Sequence, residues 1–464
     1  MTNDASTTPS QRHYGPGYRA MLLALIMLVA AFAYIDRVIV QTLGQPIKED
    51  LGLTDFQLGL LGGLGFAILY STLGLPIARL AERRDRITII SVSVGLFSLM
   101  SALCGLSANF WQLFLCRIGV GIGEAGVQAP STSLIGDHFP PHQRGFAITM
   151  MRLGSPLGSF IGALAAVWIA KDHGWRTAMI AVCGPGLVVA LLFRLLLRDP
   201  PRGLSDGLSN GARPTSKTAT PPPPPPPPPP MGEVMSMMAR KAVFRNLLIG
   251  LALSSMALYA GGAFTAPFFM RVHDLSITQA GVYVAIISST AATAGMVLGG
   301  VGIDFIARRG QHWYALLPFC GIATSVPLYL IGYSLGSPLP ALVCLTVAGV
   351  FLFFYSVPTL VALQNLVAPN ARTTAAFIYF FIATLVGVGL GPPIIGLASD
   401  IFAGLAMPGF KSVCTAPRLT GACATASAWG VRHALLASIA LYALAAFHYW
   451  RAACALKRDA SLSA

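Results

Sequence analysis

Charged side chains are scarce in this sequence. Only 10% of its 464 residues are Asp, Glu, Lys or Arg, whereas 55% are hydrophobic. A soluble globular protein carries about 25% charged residues, so this composition excludes a soluble domain. The apolar runs are about 20–30 residues long, which predicts membrane-spanning helices and excludes barrel strands of about 10 residues.

The signatures of an enzyme are also lacking, because no Ser/His/Asp arrangement or metal-ligand spacing stands out. Gly121, Gly123 and Gly126 match a dinucleotide fingerprint, but they lie inside an apolar helix without the preceding strand that this fingerprint needs. Most of the 8 cysteines lie in apolar helices, whereas Cys414 and Cys423 share a polar loop. A disulfide can form there if the loop faces an oxidising compartment. We expect no enzymatic activity, cofactor or metal.

The apolar runs predict an all-α integral membrane protein with twelve spans. Their approximate limits are 18–45, 54–80, 87–108, 109–138, 142–170, 175–198, 240–271, 276–305, 312–335, 338–367, 372–402 and 430–455. Between the sixth and seventh spans lies a linker, 199–239, with a polyproline tract at 221–230. The predicted domains are a tail at 1–17, six-helix bundles at 18–198 and 240–455 on either side of that linker, and a tail at 456–464.

Basic residues fix the expected orientation. With the N-terminus inside, Lys and Arg are about threefold more frequent in the inner loops than in the outer ones, as the positive-inside rule requires. We therefore predict a multi-pass protein of the plasma membrane (a bacterial inner membrane) with both termini cytoplasmic. Topology and contact with anionic membrane lipids explain the basic surface, so a nucleic-acid partner is not needed.

The two halves of the chain repeat each other. A small residue, an acid and then basic residues follow the second span at 78–86 and the eighth at 300–309. The segments FPPHQRG at 139–145 and VAPNART at 367–373 also correspond, as do the glycine motifs at 154–158 and 387–391. Two repeated six-helix bundles around a cavity near the bilayer midplane are typical of a secondary transporter.

These segments resemble the major facilitator superfamily. The loop after the second span is similar to its cytoplasmic gate motif, although Asp85 stands where a glycine is usual. A closer resemblance covers residues 34–145, through YIDRVIV, PIKEDLGLTDFQLGLLGG, GLPIARLAER, GVGIGEAG and FPPHQRG, and points to the Spinster-type branch. This resemblance implies proton-driven transport of a sphingosine-phosphate-like or lysolipid substrate.

Five charged residues lie within the predicted spans, all in the first half: Asp36, Arg37, Arg117, Glu124 and Arg152. Charges at this depth are costly, so they should face a protein interior or a water-filled cavity. Depth along the helices predicts that Arg117 meets Asp36 and that Glu124 meets Arg152. We expect the two acids to carry protons and the arginines to tune them. The alternatives are that Arg152 or Arg37 holds an anionic headgroup, or that the ion pairs are only structural.

The second half supplies candidate apolar walls for a substrate cavity, namely Tyr259, Phe264, Phe268, Tyr355 and Thr359. Aromatic residues in membrane helices are also common as packing residues and interface anchors, which is the competing interpretation. A charged half that faces an apolar half suits an amphiphile better than a sugar.

A second charged group is predicted at the cytoplasmic face: Glu82, Arg83, Arg86, Asp137, Arg144 and Asp304. We expect these residues to form a cytoplasmic gate, in which ion pairs between helices stabilise the outward-facing state and break when the inside opens. The alternative is that they only set the topology.

Together these features predict a monomeric, proton-coupled transporter of a lysolipid-like or sphingosine-phosphate-like amphiphile that works by alternating access. One alternative is the same fold exporting a small organic anion or a drug. A second alternative is a lipid sensor or scramblase that does not couple to protons.

Overall fold

The computed structural model describes residues 15–200, 231–367, 371–414 and 419–462, and every regular element in these ranges is a helix. The polyproline tract, most of the predicted linker and most of the N-terminal tail lie outside the described residues. The helices of the first half are α1 Pro16–Thr42, α2 Gly44–Leu51, α3 Asp55–Gly62, α4 Leu64–Arg83, α5 Arg86–Cys104, α6 Phe110–Glu124, α7 Gln128–His138, α8 Pro141–Cys183 and α9 Gly186–Leu196.

The second half repeats this pattern after a short additional helix, α10. Its helices are α10 Met231–Arg240, α11 Ala242–Val272, α12 Ile277–Ile306, α13 Trp313–Ser334, α14 Pro338–Leu352, α15 Ser356–Asn365, α16 Arg372–Ile382, α17 Gly391–Ala406, α18 Phe410–Val413 and α19 Gly421–Leu462. A π-helical segment, Ala383–Leu390, joins α16 to α17. The all-α membrane fold predicted from the sequence is thereby confirmed.

Ten helical runs in the described ranges are long and apolar enough to cross a membrane. Two more crossings bring the number to twelve, because one of these runs reverses and because the predicted fourth span is divided into two shorter helices. The run Phe146–Leu196 has 51 residues, too many for one crossing of about 30 Å. It reverses at Gly174, whose φ of +79° only glycine adopts easily. The predicted fourth span is not one helix, because it is interrupted at 125–127 between α6 and α7.

The break in the fourth span has a packing cause. Glycines at 121, 123 and 126 weaken the helix, and each lies against a neighbouring helix. A Cβ at Gly121 would lie 2.3 Å from the Phe66 carbonyl oxygen, and one at Gly126 would lie 2.1 Å from Ser93 Oγ. This close packing leaves Glu124 as the last residue of α6, at a helix end inside the bundle.

The second end of the predicted linker contains a helix that packs on the second bundle. Residues 231–240 form α10, which buries Val234 and Met238 in the core of the second bundle. These two residues are four positions apart, so they share one face of the helix, and that apolar face packs against the bundle.

We call the face where α1 begins and α19 ends the terminal face, and the other side the opposite face. Near the opposite face the two bundles touch backbone to backbone, through α3 of the first and α17 of the second. A Cβ at Gly59 would lie 2.4 Å from the Pro392 carbonyl oxygen, and one at Gly396 would lie 2.1 Å from that of Asp55. Small residues allow membrane helices this close approach.

Next to this contact, an interruption between α3 and α4 lies beside an interruption between α16 and α17. Gly63, between α3 and α4, has φ −116° and ψ −96°, which is not helical. The π-helical segment precedes Pro392 and Pro393, which have no N–H to donate to the preceding turn. A Cβ at Gly63 would lie 2.7 Å from the Gly389 carbonyl oxygen, so the two breaks lie side by side.

The contact between α3 and α17 can be tested with two glycines of α17. Gly396→Ala adds a methyl group against the Asp55 carbonyl, whereas Gly404→Ala adds one with no atom within 4 Å. Overpacking of this kind costs about 1–3 kcal/mol. We expect Gly396→Ala to lower the melting temperature in detergent and Gly404→Ala, which only replaces an uncrowded helical glycine, to leave it unchanged or raise it slightly. Equal melting temperatures for the two variants would contradict the packing described here.

Candidate functional site

A small open cavity, about 50 Å³ in volume, lies along the first bundle on its terminal-face side. Helices α1, α4, α6, α7 and α8 contribute to its wall, together with the residue between α6 and α7. The lining residues are Ile26, Ala30, Ala33, Tyr34, Arg37, Tyr70, Glu124, Val127, Gln128, Ser131, Met151, Arg152 and Ser155. Three of the five charged residues selected from the sequence therefore share one cavity.

Glu124 is paired with Arg37 in this cavity. Arg37 Nη2 lies 2.6 Å and its Nε 3.0 Å from Glu124 Oε2. The guanidinium also lies over the rings of Phe66, at 4.7 Å, and Tyr70, at 5.2 Å, so cation–π contacts hold it in place. Glu124 Oε1 is buried and has no hydrogen-bond partner among the described residues. One carboxylate oxygen is thus engaged and the other can accept a proton.

Asp36 and Arg117 form a second layer, and both are almost completely buried. Arg117 donates to the backbone carbonyl of Asp36 at 3.3 Å and to that of Leu61 at 3.4 Å. The Asp36 carboxyl group lies near Ser101 and Cys183, and its Oδ1 has no hydrogen-bond partner in the described part of the chain. The predicted proximity of Asp36 and Arg117 is present, but the contact goes through the backbone.

The predicted pairing of Glu124 with Arg152 is wrong. Glu124 binds Arg37, and Arg152 has no ion pair or hydrogen bond among the residues that the structure describes. The predicted depth of Glu124 was counted along one straight helix over 109–138. Because that helix is broken at 125–127, the number of residues between Glu124 and the end of the span does not give its depth. The side chain of Arg152 is exposed in the cavity.

The five candidate residues of the second bundle do not form one wall. Phe264 and Phe268 are fully buried in that bundle's core. The Thr359 hydroxyl is hydrogen-bonded to that of Tyr449 at 2.8 Å, and Tyr355 is hydrogen-bonded to Ser255 at 3.2 Å. Tyr259 differs from them, because it packs against the core of the first bundle. In this conformation it is the candidate that faces the charged residues.

Among the residues predicted to form a gate at the terminal face, Arg86 and Arg144 make contacts within the first bundle. Arg86 is fully buried and binds Asp137 at 2.5 Å and Asp199 at 2.7 Å. Arg144 donates to the Phe139 carbonyl at 3.0 Å, and Arg83 is exposed. The side chains of Glu82 and Asp304 lie outside the described part. The expected ion pair between helices is present at Arg86 of α5 and Asp137 of α7, and both helices belong to the first bundle.

Among the described residues, ion pairs between the bundles are found at the opposite face, in an inter-bundle cluster centred on Asp55. Both Nη atoms of Arg271 lie 2.7 Å from an oxygen of Asp55, and Lys48 Nζ lies 2.5 Å from Asp55 Oδ1. Ser399 donates to Asp55 at 2.6 Å. Gln45 accepts from Arg271 Nε at 2.8 Å. This geometry holds α3 of the first bundle against α11 and α17 of the second.

Asp400 completes the inter-bundle cluster by capping a helix of the other bundle. Its two oxygens accept from the backbone N–H groups of Asp55, at 3.1 Å, and Phe56, at 3.0 Å. A carboxylate at a helix N-terminus satisfies unpaired donors and interacts favourably with the helix dipole. Lys48 lies outside the spanning segments. Burial, together with the nearby charge of Arg271, lowers the pKa of its ammonium group.

The sequence interpretation missed the inter-bundle cluster. Asp55 follows Thr54, which forms a capping box with Gln57, so the sequence indicates only an ordinary helix start here. Arg271 reads as a topology determinant at the end of the seventh span. The available signal was that Asp55, Arg271 and Asp400 all stand at span ends on the same predicted face.

The loop near this cluster carries the disulfide that the sequence allowed. Cys414 and Cys423 are bonded, with their Cα atoms 5.6 Å apart.

Two six-helix bundles, joined by a charged cluster near one face and with a charged cavity in the wall of the first bundle, are the architecture of a membrane transporter. The family model of the Major Facilitator Superfamily matches residues 26–392. The chain belongs to this superfamily and is of the Spinster type, so it is a transporter and not an enzyme.

Relatives and a solved structure agree with this assignment. A bacterial homologue of the human lysosomal transporter Spinster, solved inward-facing and unoccupied, superposes with a TM-score of 0.83, 30% identity and coverage of 96% of this chain and 99% of that one. An MFS-type efflux pump of Mycolicibacterium smegmatis is 27% identical over 85% of this chain and 87% of its own. The sphingosine-1-phosphate transporter SPNS2 of Danio rerio is 26% identical over 84% of this chain and 80% of its own.

The inter-bundle cluster can be tested with Arg271→Gln. Removing one partner of a buried ion pair costs about 3–5 kcal/mol, enough to change the balance between closed and open forms of the opposite face. We expect spin labels at Phe56 and Leu405 to show one short distance in the parent and an added longer distance in the variant. The control is Arg176→Gln, because Arg176 and its partner Asp50 are 41% and 43% exposed and such pairs contribute little. An unchanged distance distribution in Arg271→Gln would refute this role.

Proposed function

We propose that this protein is a proton-coupled secondary transporter that moves a lipid-like amphiphile, of the lysolipid or sphingosine-phosphate kind, by alternating access. The observation that carries the proposal is the buried Arg37–Glu124 pair in the cavity wall, with one Glu124 oxygen left without a partner. We further propose that it resides in a bacterial inner membrane with both termini in the cytoplasm, on the basis of the positive-inside rule.

Proton coupling follows from the cost of a lone buried charge. A buried carboxylate is tolerated when it is paired and otherwise takes up a proton. Arginine remains protonated throughout, so the acids of the two layers must carry the proton. When Arg37 is drawn toward a substrate or a moving helix, Glu124 becomes neutral by protonation. Asp36, buried beside Arg117, serves as the second acceptor along the path.

The amphiphilic substrate is supported by the composition of the cavity. Arginine and glutamate occupy part of its wall, and Ile26, Ala30 and Met151 are among its apolar lining residues. Tyr259 faces this wall from the second bundle. A ligand with a polar head and an apolar chain would satisfy both kinds of surface. The name of the Danio rerio relative, a sphingosine-1-phosphate transporter, is consistent with this ligand class.

In the proposed transport cycle, the conformation of this structure is the inward-facing one. The inter-bundle cluster closes the outer face, and the cavity lies on the terminal, cytoplasmic side. The outward-facing state would require the Asp55–Arg271 pair to separate. Contacts between the bundles at the terminal face would then form, and Glu82, Arg83 and Asp304 remain our candidates for them. Arg86, Asp137 and Arg144 would support that face from within the first bundle.

A second candidate is export of a small organic anion or a drug. It is favoured by the Mycolicibacterium smegmatis relative, which is named as an efflux pump. The same cavity and the same proton acceptors would serve this function, with a smaller ligand beside the arginines.

Charge-neutral variants test the coupling. We expect Glu124→Gln and Asp36→Asn each to reduce uptake driven by a pH gradient in proteoliposomes at least tenfold, because an amide cannot take up the proton. Exchange of labelled for unlabelled substrate without a gradient should persist. Asp172→Asn, at an exposed acid of α8 two residues before the reversal at Gly174, is the matched control. Uptake by both site variants at the parental rate would exclude these residues as proton carriers.

The same vesicles separate the proposed function from a scramblase or sensor. Substrate accumulation against its concentration gradient, present with a pH gradient and lost when the gradient is collapsed, is expected. Equilibration at the same rate with and without the gradient would instead identify a protein that does not couple to protons.

A further inference from the structure

The charges that line the cavity do not balance. Its wall contains two arginines, Arg37 and Arg152, and one acid, Glu124. Glu124 lies 2.6 Å from Arg37 and compensates its charge. Asp36, the other acid of this region, is buried against Arg117 in the neighbouring layer. One positive charge of the cavity, that of Arg152, is left over.

Arg152 differs in this respect from the buried arginines of the protein. Arg271 binds Asp55, Arg86 binds Asp137 and Asp199, and Arg117 binds two backbone carbonyls. In the described part of the chain, Arg152 has neither an ion pair nor a hydrogen bond, and its side chain is exposed in the cavity. An uncompensated cation at membrane depth is costly, so such a residue marks a ligand or ion path.

The surroundings of Arg152 can complete a site for an anion. Gln128, Ser131 and Ser155 line the same cavity and carry hydrogen-bond donors. Tyr379 of the second bundle is close enough to interact electrostatically with Arg152. The Tyr379 hydroxyl is hydrogen-bonded to the Ser356 carbonyl at 3.0 Å, which fixes its position. Donors of the first bundle therefore line the same cavity as one unpaired guanidinium, and a tyrosine of the second bundle lies nearby.

We infer that Arg152 is the centre of an anion subsite that binds the phosphate or carboxylate group of the transported molecule. The planar guanidinium presents parallel N–H donors that match such a group in a bidentate manner. Apolar residues of the same cavity, Ile26, Ala30 and Met151, lie beside it and would hold an attached chain. This inference rests on the proposed transport function and specifies the ligand group that the cavity recognises.

The anion could belong to a lipid headgroup or to a small free anion, and three probes distinguish these sources. Oleoyl lysophosphatidate has both a chain and a phosphate, monooleoylglycerol has the chain alone, and glycerol 3-phosphate has the phosphate alone. Binding of each would be measured by calorimetry with the purified full-length protein, its Arg152→Gln and Arg152→Lys variants, and Arg245→Gln. Arg245 is an exposed arginine at the start of α11 and serves as the matched control for loss of charge. Melting curves would establish that each variant is folded.

We expect Arg152→Gln to weaken lysophosphatidate binding about tenfold or more, the size of one charge-assisted contact. Monooleoylglycerol binding should stay unchanged, Arg152→Lys should give an intermediate affinity, and Arg245→Gln should behave as the parent. Parental lysophosphatidate affinity in Arg152→Gln would overturn the inference, as would an equal loss for the uncharged lipid.

The remaining outcomes separate the subsite from the proposed function. If the parent binds both lipids with the same affinity, the anion subsite is wrong and lipid transport stands. If glycerol 3-phosphate binds as tightly as lysophosphatidate and depends on Arg152, the subsite stands and the lipid-like substrate is wrong. If the parent binds none of the three probes, both are wrong.

Discussion

A charged side chain within the membrane needs a partner, and this requirement organises the molecule. Asp55 meets it by accepting from Arg271, Lys48 and Ser399, residues drawn from both bundles. Because Asp400 also caps the helix that begins at Asp55, the charges fix α3 against α17 at the opposite face. The close glycine contacts between these helices depend on the same alignment. One electrostatic requirement thus determines which face of the transporter is closed.

The same requirement accounts for the cavity. Broken helices place polar groups at membrane depth without leaving them in lipid, and here α6 ends at Glu124, beside Arg37. The interruptions at Gly63 and at Ala383–Leu390 lie side by side. They lie at the cavity-side ends of α3 and α17, the two helices that the inter-bundle cluster joins. The helices that would move in the proposed alternating access are therefore bounded by breaks, where bends can be absorbed.

Much of this architecture could be predicted from the sequence. The scarcity of charge, the length of the apolar runs and the internal repeat predict the all-α transporter fold, and the rarity of intramembrane charge selects Asp36, Arg37, Arg117, Glu124 and Arg152. The pairing among them could not be derived, because it depends on a helix break of three residues that shifts positions along and around the axis. Phe264 and Phe268 show a similar limit, since apolar periodicity does not distinguish a cavity wall from a packed core. Asp55 and Asp400 escaped notice because acids at helix ends are ordinary in sequence, and only the fold brings them together.

In the proposed mechanism, substrate movement and proton movement are one process through the Arg37–Glu124 layer. This coupling can be measured with the unmodified protein in proteoliposomes that have a substrate gradient, no initial pH gradient and a pH-sensitive dye inside. Substrate flow should generate a pH difference across the membrane, and this difference should disappear when the substrate gradient is absent or the membrane is made permeable to protons. Substrate flow at a full rate with no change in internal pH would contradict it.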